Sequence, residues 1–114
     1  IGLDIVLPAI KTLLKPDKGQ VLCLIKPQFE AGRSALDKHG VVKNAKHRRA
    51  AVERVLDAAA EQGLGLRGLI RSPIAGGDGN VEYLVLFEPT TECGAPALTI
   101  EDLPNELFAP RKTT

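Results

Sequence analysis

A chain of 114 residues has room for one compact domain and not for two. Apolar residues make up 44% and charged residues 25%, ordinary globular usage that excludes wholesale disorder, collagen-like repetition and an all-charged coiled coil. Fifteen Lys and Arg against fourteen Asp and Glu leave a net charge of +1, so overall charge indicates neither nucleic acid nor an anionic membrane, and any electrostatic signal must come from clustering.

No apolar run approaches the ~18–20 residues of a membrane span. The start Ile1-Gly2-Leu3-Asp4 lacks the charged n-region and small-residue cleavage site of a secretory signal, so no membrane partner is expected. Cys23 and Cys93 form neither a C-x-x-C pair nor a disulfide framework, which points to a reducing, cytoplasmic setting. The absence of Met, with a first residue that already opens a helical pattern, suggests a piece cut from a longer chain.

Ile5, Val6, Ala9, Ile10, Leu13 and Leu14 make the apolar stripe of an amphipathic helix over residues 5–14, stopped by Lys15-Pro16-Asp17-Lys18-Gly19. Val21–Ile25 is a continuous apolar run, the pattern of a strand covered on both faces. From Gln28 to Asn44 the sequence predicts a long polar loop with one short helical turn near Arg33–Lys38, and loops of that length usually carry a function. Asn44 is the expected N-cap of a helix whose apolar face is Ala51, Val52, Val55, Leu56 and Ala59, ending at Gly63. Leu66–Arg71 and Val81–Phe87 read as two strands joined by a glycine-rich turn, hence antiparallel. The tail after Glu88 carries four prolines and one short helix after Thr99, where Glu101 and Asp102 suit a first turn.

The order helix, strand, helix, strand, strand predicts an α/β fold: half of a doubly wound sheet, with two parallel strands, a reversed last strand and flanking helices. Ligands in such sheets bind beyond the carboxyl ends of the strands. Lys26 lies at that end of the first strand. Glu82 lies where the reversed strand re-enters from the same edge. A cation and a carboxylate brought together there form a candidate proton-handling pair, although an ordinary surface ion pair worth ~0–1 kcal/mol has the same pattern.

A second cluster is basic: Lys38, His39, Lys43, Lys46, His47, Arg48 and Arg49. Cations in a first helical turn oppose the helix dipole, while the acids Glu53, Asp57 and Glu61 fall in the middle and far half of the same helix. Phosphate contact at the helix N-terminus explains that polarity, and a solvated face with Arg49 and Glu53 in i,i+4 contact is the alternative. His47 has no second ligand at metal spacing, so no metal is assigned. Phe29 and Tyr83 are either base-stacking aromatics or core residues.

The blocks Lys26-Pro27-Gln28-Phe29-Glu30-Ala31-Gly32-Arg33, Gly40-Val41-Val42, Ser72-Pro73-Ile74 and Gly79-Asn80-Val81-Glu82-Tyr83-Leu84 together resemble the hemolysin A/TlyA family of FtsJ-like ribosomal RNA 2′-O-methyltransferases. The resemblance spans residues 1–88 and leaves residues 89–114 as a separate Pro-containing tail. It implies the C-terminal half of a Rossmann-like, S-adenosylmethionine-dependent methyltransferase domain. Of that family's Lys-Asp-Lys-Glu catalytic tetrad, the third and fourth members fall on Lys26 and Glu82. The first Lys, the Asp, the glycine-rich cofactor turn and a small S4-type RNA-binding domain would lie upstream of Ile1, so the fragment is expected to be inactive alone.

For the intact enzyme, the resemblance implies methyl transfer to the ribose 2′-hydroxyl of cytidine in ribosomal RNA, with ribosomal subunits as partners. Lys26 would take the hydroxyl proton and Glu82 would orient it. Arg33, Lys38, Lys43, Lys46, His47, Arg48 and Arg49 would hold the RNA. The competing readings are an RNA-binding module without catalysis and a hemolysin-like cytolysin. Loss of upstream strands would also bare the edge of the Val21–Ile25 strand and invite self-association, unless the tail covers it.

Overall fold

The computed structural model describes residues 19–72, 79–90 and 98–109. The helix expected at 5–14 and the glycines Gly76 and Gly77 of the predicted turn lie outside the described residues.

Strand β1 (Val21–Ile25) leads into a short helix α1 (Pro27–Glu30), followed by a 3-10 turn at Arg33–Ala35. Helix α2 (Ala45–Glu61), strand β2 (Leu64–Arg71) and strand β3 (Tyr83–Pro89) follow, and 3-10 turns at Ile100–Asp102 and Asn105–Phe108 close the described chain. Asn44 caps α2 as expected, its side chain accepting a 2.8 Å hydrogen bond from the Lys46 amide. Gly63, at φ 73°, ends the helix in the left-handed conformation that a side chain would resist. The sequence predicts loop where most of α1 stands. Its signal is Pro27 at the first helical position, where the missing N–H costs nothing.

The sheet order is β1-β3-β2, and β3 is antiparallel to both neighbours. β1 and β2 therefore run in the same direction, but β3 is inserted between them. The half of a doubly wound sheet expected from the sequence is, among the described residues, a three-stranded antiparallel sheet in which the reversed strand is central. A reversed strand pairs equally well with either neighbour, and nothing in the local pattern of Val81–Phe87 says which gap it enters.

One face of this sheet packs on α2. Val52, Val55 and Ala59 of the helix join Ile25, Leu64, Tyr83, Val85 and Phe87 in one buried cluster, and Ala51 is buried as well. The other face is not covered by described residues: in β1 burial alternates, with Leu22 70% and Leu24 38% exposed, where the continuous apolar run predicted cover on both sides.

The tail is part of this core. The Leu98 amide donates to the Leu66 carbonyl at 3.0 Å, adding an antiparallel bridge to β2, and Thr99 and Asp102 form a capping box for the following turn. The bridge lies on β2, so the tail leaves the outer edge of β1 without a strand partner among the described residues. Ile100 and Phe108 are buried, and the Phe108 ring lies 5.9 Å from that of Tyr83.

Three side chains hold the segment by its carbonyls. Arg71 Nη2 shares its hydrogens among Glu106, Leu107 and Ala109 at 2.7–2.9 Å, Tyr83 Oη donates to Leu107 at 2.7 Å, and Arg48 Nε donates to Phe108 at 2.8 Å.

Phe108→Ala is expected to cost about 3–5 kcal/mol, because it empties an aromatic site the fold cannot close. Tyr83→Phe, which removes one hydrogen bond and keeps the ring, should cost about 1 kcal/mol. Urea denaturation of the two variants side by side checks both the order and the gap.

Candidate active site

The β1–β3 ladder ends at Ile25 paired with Tyr83. One position further on each strand stand Lys26 and Glu82, so the register places them opposite each other at one end of the sheet. Cβ atoms at such cross-strand positions lie ~4.5–5.5 Å apart. β2 ends at the same edge: Arg71 pairs with Tyr83, and the Ser72 amide donates to the Glu82 carbonyl at 2.8 Å. Strand direction alone leads to this shared end of the sheet; the side chains themselves turn to different partners, Glu82 to Gln28 and Lys26 to Phe29.

The two side chains have different surroundings. Glu82 is only 5% exposed, and its Oε2 accepts a 2.9 Å hydrogen bond from Gln28 Nε2. Lys26 is half-buried, and its Nζ lies 5.8 Å from the centroid of the Phe29 ring, within cation–π range. α1 does this positioning. With Pro27 fixing its first turn, the Phe29 amide bonds the Lys26 carbonyl at 2.9 Å, and the helix carries Gln28 toward Glu82 while leaving Phe29 60% exposed. Of the two aromatics considered for base stacking, Tyr83 is fully buried and belongs to the core, whereas Phe29 lies open beside Lys26.

Asn80 was not singled out for a role, yet it organises the long loop. Its Oδ1 accepts from the Val42 amide and its Nδ2 donates to the Gly40 carbonyl, each at 3.0 Å, and the residue is buried. Asn80 lies two residues before Glu82, so the loop is tied to the segment that carries the carboxylate. Asp37 closes the same loop from within. Its Oδ1 accepts from the His39 and Val41 amides at 2.8 and 3.0 Å, and its Oδ2 lies 3.2 Å from Lys43 Nζ. The Val41 amide, then that of His39, with Lys43 beside them, holds its carboxyl below the ordinary aspartate range despite some desolvation. The sequence blocks around Gly40 and Asn80 are thus two halves of one contact.

Of the basic residues, Arg33, Lys38, Lys43, Lys46 and His47 are exposed and Arg49 is half-buried. The first turn of α2 holds no acid. Arg48 departs from the expected RNA-contacting set. It is 2% exposed, with Nη1 donating to the Val42 carbonyl at 2.7 Å and Nε to the Phe108 carbonyl at 2.8 Å, while burial pushes its pKa down. A guanidinium enclosed by its own chain presents nothing to a phosphate. Its helical position, one residue after exposed His47, gives no hint of this, because the burying partner is the tail some 60 residues away. No group of three or more His, Cys, Asp or Glu among the described residues could hold a metal ion. None of their helices is long and apolar enough to cross a membrane.

The profile of the FtsJ-like methyltransferase family matches residues 1–88. The chain belongs to that family. Among FtsJ-like relatives, it is 42% identical over 85 residues to a Bacillus subtilis protein named as a candidate rRNA methyltransferase, YqxC, covering 75% of this chain and 30% of that protein. It is 35% identical over 102 residues to the Mycobacterium tuberculosis protein named 16S/23S rRNA (cytidine-2′-O)-methyltransferase TlyA, covering 90% and 38%. A Lactococcus lactis crystal structure of a protein named as a candidate hemolysin superposes with a TM-score of 0.79 at 38% identity, over 95% of this chain and 50% of that one. A similarly named Streptococcus thermophilus protein gives 0.80 at 36%, over 95% and 38%. This FtsJ-like chain spans about a third of the length of the curated relatives it matches.

The Asp37 carboxylate gives the loop a pH dependence with a defined sign. A depressed folded pKa contributes stability that is present above the unfolded value and lost as pH falls through the folded one. Protection of the Val41 amide from hydrogen exchange should therefore persist at neutral pH and fade only below the ordinary aspartate value of 3.8, and Asp37→Ala should abolish it at every pH.

Proposed function

We propose that the protein carrying this chain transfers a methyl group from S-adenosylmethionine to the ribose 2′-hydroxyl of cytidine in ribosomal RNA, working on ribosomal subunits in the cytoplasm. What supports the reading is the register of the β1–β3 ladder, beyond whose last pair Lys26 and buried Glu82 are the next residues, in a chain of the FtsJ-like methyltransferase family whose relatives are named for rRNA methylation.

Family membership implies S-adenosylmethionine as the methyl donor. A β-carbon added at Gly32, Gly40, Gly68 or Gly79 meets open space, so no contact of the chain itself assigns the donor's cradle to these glycines. The described end of the sheet is read as the acceptor side of the reaction. There Lys26 Nζ receives the proton of the ribose hydroxyl, and Glu82, an acceptor-only group when ionised, offsets the charge that appears on the lysine. Alignment of the hydroxyl carries much of the rate.

Exposed Arg33, Lys38, Lys43, Lys46 and His47, with half-buried Arg49, are the basic residues that contact RNA phosphates, contributing affinity that depends on salt and not on sequence. The loop bearing Lys38 and Lys43 is held to the Glu82 segment through Asn80, so phosphate contact and acceptor chemistry share one rigid support.

Lys26→Ala in the protein carrying this chain should lower methyl incorporation into unmethylated ribosomal subunits by about 10²-fold or more, the usual worth of a positioned proton acceptor. Affinity for those subunits should stay within about twofold. A collapse of affinity with Lys26→Ala would make the residue a phosphate contact and refute the catalytic reading. Neutralising Lys43 and Lys46 together should weaken binding across RNA sequences and reduce the salt dependence by roughly one phosphate's worth per residue.

A further inference from the structure

Three buried side-chain polar atoms among the described residues make no hydrogen bond: Gln28 Oε1, Asp37 Oδ2 and Arg48 Nη2. Asp37 Oδ2 has Lys43 Nζ 3.2 Å away, and Arg48 Nη2 belongs to a guanidinium already engaged with two carbonyls of the core. Gln28 Oε1 is the one at the proposed reaction centre. Its orientation is chemically forced. The carboxylate of Glu82 only accepts, so the amide nitrogen must face it and the carbonyl must turn the other way. An unpartnered buried acceptor costs free energy and calls for an explanation.

We infer that Gln28 is the positioning residue of this site: its amide nitrogen sets the Glu82 carboxylate, and its unpartnered carbonyl receives the Lys26 ammonium once that side chain has taken the ribose proton. The inference rests on the proposed function and deepens it. Before proton transfer a lysine amine needs few acceptors. Afterwards it is an ammonium with three donors and no acceptor, and a carboxylate together with the carbonyl of the amide bonded to it are the partners that charge requires. In the structure Lys26 Nζ rests over Phe29, and the inference requires its flexible stem to turn from the ring toward the two oxygens. The proton's path is complete: the ribose O–H bond breaks, the N–H bond forms on Lys26 Nζ, and the new charge is met by Gln28 and Glu82.

Two variants test this in the protein carrying the chain, with unmethylated ribosomal subunits as substrate. Gln28→Met keeps the volume and removes both polar atoms. It should lower kcat about tenfold or more and leave KM and affinity for the subunits within about twofold. Gln28→Glu places a second carboxyl beside Glu82. When ionised it repels and cannot donate, and when protonated it offers an O–H to Glu82 and a carbonyl to Lys26, the same pattern as the amide.

The activity ratio of Gln28→Glu to Gln28→Met should therefore rise about fivefold or more between pH 8 and pH 6. The other titratable or charged groups around α1 are Lys26 just before it, Glu30 at its last position, and His47 and Arg54 on α2. Both variants carry them, and the ratio cancels their titration.

Wild-type kcat in Gln28→Met, or parallel pH profiles for the two variants, would overturn the inference. Where Gln28→Met melts early, the Gln28→Glu profile against wild type decides on its own, since a packing defect does not recover on acidification. A protein that loses methyl transfer with Lys26→Ala yet is indifferent to both Gln28 variants overturns this inference alone and leaves the proposed function standing.

Discussion

The register between β1 and β3 governs everything else in this chain. Because the ladder runs from Val21 opposite Phe87 to Ile25 opposite Tyr83, the next residue on each side can only be Lys26 and Glu82. A slip of one residue would move the whole β1 set of Val21, Cys23 and Ile25 from the core face to the bare one, so the apolar pattern fixes the pairing and, through it, the site. Chemistry at the sheet edge is inherited from packing in the sheet.

The region around the pair is organised by short-range capture more than by regular structure. α1 is one turn long, and the following loop holds only a 3-10 turn, yet both are tied down by side chains: Gln28 to Glu82, Asn80 to Gly40 and Val42, Asp37 to His39 and Val41. Each tie ends on a residue within two positions of Glu82 or within the loop that carries the exposed lysines. A loop built in this way presents cations without letting them wander, which is what an oriented phosphate backbone requires.

Much of this was legible in the residues. The cap at Asn44, the stripe Ala51, Val52, Val55 and Ala59, and the strands at 21–25 and 66–71 follow from period and punctuation, the second starting two residues earlier, at Leu64, in the structure, and strand direction follows from the crossover. That Lys26 and Glu82 lie at one strand end was legible because it needs only direction and edge. Less legible were features set by distant partners. The insertion of β3 between the other two strands depends on which gap is vacant. The burial of Arg48 depends on Phe108, and the capture of Gly40 and Val42 depends on Asn80, about 40 residues away. Periodicity reports which face of an element is apolar, and it is silent on what arrives to cover a polar residue.

The closing segment carries a consequence for how such chains diverge. Arg71, Tyr83 and Arg48 grip it through four successive carbonyls, from Glu106 to Ala109, and a carbonyl is the same whatever side chain it bears. The side chains of Glu106 and Ala109 play no part in that grip, whereas Ile100 and Phe108 are buried, Leu103 and Leu107 pack on the core, and Thr99 and Asp102 cap their turn by side chain. A family profile that stops at residue 88 and a packed unit that continues to 109 are then compatible descriptions of one object, the first written in side chains and the second in backbone.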